Sequence, residues 1–221
     1  RWNPKMKDFI LEEKNSIYII NLAITVDQLT VASDYLAGVV KGGGKILFVG
    51  TKKQAQEAVR EAATATKQFF VNERWLGGTL TNLQTIRRSV ARFREFQELE
   101  KTPAFARMNK KETSALRREA TKLHRNLEGV LGMERQPDAI VIIDTNREEI
   151  AVSEATRLKI PVVAIVDTNC DPDRVNYPIA GNDDAIRSIR VILQKIVNAI
   201  VEAQGVRAKM TTPSELEAVA E

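Results

Sequence analysis

The 221 residues carry 33 Lys or Arg against 29 Asp or Glu, a formal net charge of +4, with 43% hydrophobic and 28% charged residues. Such a balance suits a globular chain with a sizeable core rather than a disordered one. A single cysteine (Cys170) and a single histidine (His124) exclude an internal disulfide, a histidine-based metal site and most catalytic triads. No apolar run reaches the roughly 18 residues that a membrane span needs, no secretory signal is visible, and the cysteine usage fits a reducing compartment.

In chain order, Ile17 to Ile20 reads as a strand. Thr25 to Val40 reads as a helix with Leu29, Ala32, Leu36, Val39 and Val40 on its apolar face, opened by a Thr25/Gln28 capping box and ended by Gly42, Gly43 and Gly44. Lys45 to Val49 is a nearly continuous apolar strand, as expected when both faces are buried. Gly50 turns the chain, Thr51 with Gln54 forms a second capping box, and an alanine-rich helix runs to about Ala65 before the strand Phe69 to Val71.

The far end repeats this logic. Ala139 to Ile143 is a strand; Thr145 and Glu148 box the start of a helix to about Leu158; Pro161 precedes the strand Val162 to Val166; Tyr177 to Ile179 is a last short strand. Asn182 caps a long helix to about Ala203 with Ile186, Ile189, Leu193, Ile196, Val197 and Ile200 on one face. Strands alternating with helices predict an α/β, doubly wound parallel sheet.

The middle departs from this pattern. From Thr79 to Glu128 there is no strand periodicity, and Leu83, Ile86, Val90, Phe93 and Phe96 recur at helical steps, as do Leu116, Ala120, Leu123, Leu127 and Val130. A break from Thr102 to about Asn109 separates them, predicting an antiparallel, coiled-coil-like hairpin inserted into the sheet domain. The expected organisation is a sheet domain over 1–78 and 129–204, the hairpin over 79–128 and a tail over 205–221.

The hairpin holds twelve Lys or Arg against six acids, a net +6, so the rest of the chain is −2. A basic projection on a near-neutral body suits phosphate-backbone binding, and its arginines outnumber its lysines eight to four. The plainer reading is a solvated surface with intrahelical ion pairs. Candidate RNA-binding residues are Lys52, Lys53, Arg74, Arg87, Arg88, Arg92, Arg94, Lys110, Lys111, Arg117, Arg118 and Lys122. Trp75, Leu76, Gly77 and Gly78 read as a stiff structural joint, with the tryptophan and leucine wedged between hairpin and sheet and the glycines permitting a sharp turn.

Ligand sites in doubly wound sheets lie beyond the carboxyl ends of the strands, so Thr51 and Asp144 open an alternative: an enzyme or switch that binds a nucleotide or sugar phosphate. Against it, Gly50-Thr51-Lys52-Lys53 lacks the glycine spacing of a phosphate loop, and Gly42-Gly43-Gly44-Lys45 precedes a strand instead of following one. Asp144 and Asp167 read as turn caps, and Cys170 as a turn residue. A protein-only scaffold with an acidic partner is a third option.

Several segments carry a family signature: Trp2-Asn3-Pro4-Lys5-Met6, Ile19-Ile20-Asn21-Leu22, Phe48-Val49-Gly50-Thr51-Lys52, Arg74-Trp75-Leu76-Gly77-Gly78 with Leu80-Thr81-Asn82, Ile165-Val166-Asp167-Thr168-Asn169 through Asp173, and Gly181-Asn182-Asp183-Asp184-Ala185-Ile186-Arg187. Together, and in this order, they resemble the bacterial small-subunit ribosomal protein S-two family; Glu73 stands where members of that family often carry His or another residue before Arg74. The resemblance implies a flavodoxin-like sheet with an inserted coiled-coil hairpin and a structural rather than catalytic role. It implies binding of small-subunit rRNA on the solvent side between head and body, near the mRNA exit, with late entry into assembly. The implied partners are neighbouring small-subunit proteins, among them ribosomal protein S-one. No cofactor, metal, membrane or small-molecule substrate is expected. The implied setting is a bacterial cytoplasmic ribosome, with an organellar one left open.

Overall fold

The computed structural model of the protein describes residues 2–211. Five parallel strands form its sheet: β3 (Ile46–Val49), β4 (Phe69–Val71), β5 (Ala139–Ile143), β6 (Val162–Val166) and β7 (Tyr177–Ala180), in the spatial order β4-β3-β5-β6-β7. Counted within the sheet this is 2-1-3-4-5, the flavodoxin-like order, whose switch point lies between β3 and β5. The register is regular, with Phe48 opposite both Phe70 and Val141 and Ile142 opposite Ala164.

The central strands are apolar because both faces are covered. Ile46, Phe48, Val141, Ile143, Val163 and Ile165 face one cluster, which is completed by α1 (Leu22–Lys41), α2 (Lys53–Thr66) and α7 (Ile186–Thr211). Their alternates Leu47, Val49, Ile140, Ile142, Ala164 and Val166 face the other. Five strands about 4.8 Å apart make a face roughly 20 Å wide, which takes two helices packed 8–10 Å apart. On this second side the sheet has one helix of its own, the nine-residue α6 (Glu149–Arg157). Trp75, Leu80, Ile86, Val90, Leu127 and Val130 cover the remainder, from the joint and the residues just after it, from α3 (Leu83–Glu100) and α5 (Lys110–Leu127), and from the turn that follows α5. The basic segment is therefore rooted in the core.

Several expectations need correction. Ile17–Ile20 is a strand, β2, but it does not enter the parallel sheet. It pairs antiparallel with β1 (Ile10–Lys14) through a two-residue loop, Asn15-Ser16, in which both residues have positive φ (53° and 62°). Such a loop matches the twist of a hairpin, and the exposed Leu11-Glu12-Glu13-Lys14 gave no strand pattern to read. None of the three capping boxes forms. Asn21 caps α1, its Oδ1 accepting from the Ala23 amide. Thr25 and Gln28 serve the edge strand instead: the Thr25 hydroxyl donates to the Ala180 carbonyl (2.7 Å) and Gln28 Oε1 accepts from the Ala180 amide (2.9 Å), which blocks an edge that would otherwise offer unpaired backbone. Neither α2 nor α6 has a side-chain cap bond.

The break at Thr102 contains a short helix, α4 (Pro103–Arg107). Asn182 does receive the amides of Asp184 and Ala185 ahead of α7. Ile186 lies 52% exposed rather than on the buried face, and α7 runs past Gln204 to Thr211. The rest of the expected tail, 212–221, lies outside the described residues.

Candidate nucleic-acid interface and the strand-end cluster

After β4 the chain passes through the joint into α3. Arg74 is exposed, while Trp75 is buried in the second core cluster. The Trp75 indole N–H donates to Glu154 Oε1 (3.1 Å), as does the Gly78 amide (2.7 Å); Oε2 accepts from the Leu80 amide (3.0 Å), the Thr81 amide (2.9 Å) and the Thr81 hydroxyl (2.9 Å). Burial pushes the Glu154 carboxyl up, but these donors outweigh it and hold its pKa below the usual glutamate range. Gly78 adopts φ +89°, which brings its amide onto the carboxylate, whereas Gly77 is exposed with open space around it and no conformation that demands glycine. Leu76 is half-buried against the same cluster.

Contacts between α3 and α5 run in opposite chain senses. Glu100 pairs with Arg117 (3.0 Å), Arg92 with Glu119 (2.9 Å), and Phe93 meets His124 at 5.3 Å between ring centroids. Near the far end Phe105 of α4 sits edge-on to Phe96, and the Arg117 guanidinium lies 5.3 Å over its ring. At the base, α5 leaves through a turn in which Gly129 lies against the backbone of β4; a Cβ there would fall 2.1 Å from the Phe70 carbonyl oxygen.

The candidate cations divide into two groups. Arg92 and Arg117 are engaged across the pair, Arg94 donates to the Leu131 carbonyl (2.9 Å), and Arg118 donates back to Ser114 (3.3 Å). Arg125 reaches Glu73 (2.7 Å), which ties the start of the joint to α5. Lys53, Arg74, Arg87, Arg88, Lys110, Lys111 and Lys122 are exposed, with no ion pair or side-chain hydrogen bond among the described residues.

Lys52 belongs to neither group. Its ammonium lies 2.6 Å from Asp183, 2.6 Å from Asp184 and 3.4 Å from Asp144, with its side chain 14% exposed. Desolvation alone would lower its pKa, but the Asp183 and Asp184 contacts raise it well above the usual lysine value. Burial lifts Asp183 to about 6 despite the Lys52 contact. Three carboxylates thus surround the charge that the sequence assigned to RNA phosphate. Asp144, φ +66°, caps its own turn by accepting from the Asn146 and Arg147 amides. Cys170 is buried beside it, and burial pushes its thiol up. Asp144, Cys170 and Asp183 bring ligand atoms within 4.8 Å of one another, as do Asp167, Asp183 and Asp184; the Lys52 ammonium supplies positive charge to this acidic set. The Thr51 amide, which opens the α2 turn, is taken by Glu148 (2.8 Å). A phosphate entering the switch point would meet carboxylates and an occupied amide.

The family profile described as Ribosomal protein S2 matches residues 1–203. The chain belongs to the ribosomal protein S2 family. As an S2-family protein it is a structural constituent of the small ribosomal subunit, a component of the ribonucleoprotein that carries out translation, and not an enzyme. That sets aside the nucleotide- or sugar-phosphate-binding enzyme, in keeping with the filled switch point. No helix among the described residues is long and apolar enough to cross a membrane.

In this S2-family chain the residues that organise the joint were only partly readable. Trp75 and Gly78 stood out; Glu154 and Gly129 did not. For Glu154 the available signal was an acid at helical spacing between Ala151 and Ala155, on a face that is otherwise apolar.

Proposed function

We propose that the α3–α5 pair is the rRNA-binding projection of this small-subunit protein. The observation that carries this reading is the distribution of charge: exposed Arg87, Arg88, Lys110, Lys111 and Lys122 stand without ion partners among the described residues, on a segment of net +6 rooted in a body of net −2. Arg74 and Lys53 support docking at the base. Contacts go chiefly to phosphate and sugar, because an A-form duplex hides its deep-groove base edges from side chains.

The family resemblance adds a position on the solvent side between head and body, near the mRNA exit. It also adds ribosomal protein S-one as a neighbour and a bacterial cytoplasmic ribosome as the setting. A coiled-coil character for the pair belongs to the same reading.

The test is incorporation of the triple variant Arg87→Glu, Arg88→Glu, Arg92→Glu. Tagged wild-type protein co-sediments with small subunits in low magnesium and with whole ribosomes in high magnesium. The variant's occupancy of purified subunits falls by about tenfold or more, since reversing three charges removes several phosphate contacts. Undiminished occupancy would count against this interface.

A further inference from the structure

We propose that Glu154 is the positioning residue that fixes the direction in which the α3–α5 pair leaves the sheet. Its consequence for RNA rests on the reading of that pair as the RNA-binding projection. Glu154 is 8% exposed and has no cationic partner among the described residues. All five of its donors come from one short stretch, Trp75 to Thr81, immediately before α3 begins at Leu83. Gly78, Leu80 and Thr81 direct three amides onto one carboxylate, while the intervening Thr79 amide turns back to the Leu76 carbonyl; the loop thus cradles an anion, and that anion is supplied by α6 of the same chain. The outgoing backbone is thereby bound to a helix on the sheet rather than to another part of the loop.

Small angles matter here. An 18-residue helix is about 27 Å long, so a tilt of roughly 10° at the joint moves its far end by about 5 Å. Hydrogen bonds to phosphate tolerate displacements of only a few tenths of an ångström. The returning arm is held separately, by the Gly129 turn against β4 and by Arg125 on Glu73. Loosening Glu154 therefore lets the pair swing about its α5 arm without detaching.

Glu154→Gln tests this nearly isosterically: one acceptor oxygen is replaced by an NH₂ group that faces other donors. Nitroxide labels are placed in the full chain at Ser114→Cys on α5 and Glu57→Cys on α2, both exposed, while native Cys170 stays buried. A control pair at Glu57→Cys and Glu202→Cys reports on the body. The expected result is a broadened tip-to-body distance distribution in Glu154→Gln with the control pair unchanged. Affinity for small-subunit rRNA falls about tenfold, as when the oriented state is populated only one-tenth of the time, and the salt slope stays constant because every phosphate-binding cation is retained. An unchanged tip-to-body distribution would overturn the proposal. If the control pair also broadens, Thr81→Ala decides, since it removes one exposed hydroxyl donor: broadening confined to the tip supports the proposal, and none overturns it. Broadened distances with unmoved rRNA affinity, in both Glu154→Gln and the triple charge reversal, would uphold the positioning role and sink the RNA reading instead.

Discussion

Glu148, at the start of α6, accepts both the amide (2.8 Å) and the hydroxyl (2.6 Å) of Thr51, which lies 97 positions earlier at the end of β3. Arg147 donates to the same hydroxyl (3.1 Å), and burial raises the Glu148 carboxyl despite the bonds from Thr51. The two strand ends that flank the switch point are thus bound to each other. In a doubly wound enzyme this crevice opens to a ligand; here the protein's own side chains close it, and the fold serves as a scaffold.

Lys52→Met leaves three carboxylates without their cation. Breaking a largely buried ion pair from one side costs about 3–5 kcal/mol. The loss depends on pH in a direction the cluster dictates. Asp183 holds its proton up to about pH 6 in the folded protein against 3.8 ordinarily, and without Lys52 its folded pKa rises further. A raised carboxyl pKa means that the folded state binds the proton more tightly, so stability falls as pH climbs through that window. Urea unfolding near pH 5 and near pH 7.5 checks this: the variant loses more, relative to wild type, at the higher pH. Equal losses at both would refute the electrostatic account.

Gly78→Ala and Gly77→Ala form a matched pair. At Gly78 a left-handed backbone (φ +89°) and a Cβ 3.1 Å from Asn82 predict a loss of about 1–2 kcal/mol. At Gly77 the space is open, and the expected change is within about 0.5 kcal/mol. Thermal melts of the two variants distinguish them. Gly129→Ala is worse than either, because the new carbon would meet the Phe70 carbonyl oxygen.

How much of this could be read in the chain varies with the physics. Strands buried on both faces, such as Ile46–Val49 and Val162–Val166, appear as apolar runs. The helices of the pair appear as spacing. The contacts that fix the joint and the strand-end cluster do not, because the partners are distant: Lys52 meets Asp183 across 131 positions and Trp75 meets Glu154 across 79. Thr25 with Gln28, Thr51 with Gln54 and Thr145 with Glu148 each fit a helix cap locally. Thr25, Gln28, Thr51 and Glu148 were instead drawn into tertiary bonds to Ala180 and between the ends of β3 and β5.

Thr25→Val removes a buried hydroxyl that donates to Ala180 and leaves that carbonyl on the sheet edge short of a partner. The expected loss is about 1–3 kcal/mol. Hydrogen exchange at β7 amides should quicken more than at β3. Uniform acceleration across the sheet would argue against a local edge role.

Replacing Lys110, Lys111 and Lys122 together by Ala should weaken rRNA binding most at low salt. Each phosphate that the protein no longer neutralises flattens the log–log salt slope by about 0.7–0.9. A filter-binding series across ionic strength reads the slope directly; an unaltered slope would remove these lysines from the interface.

The pair departs after β4 and returns into β5, and β3 lies between those two strands in the sheet. Its length is therefore independent of the strand register. Seven residues added to each of α3 and α5, two helical turns, would carry the tip outward by about 10 Å while the strand order and both core clusters stay as they are. The reach of the pair is thus a quantity this architecture can change by insertion alone, with its buried residues unaltered.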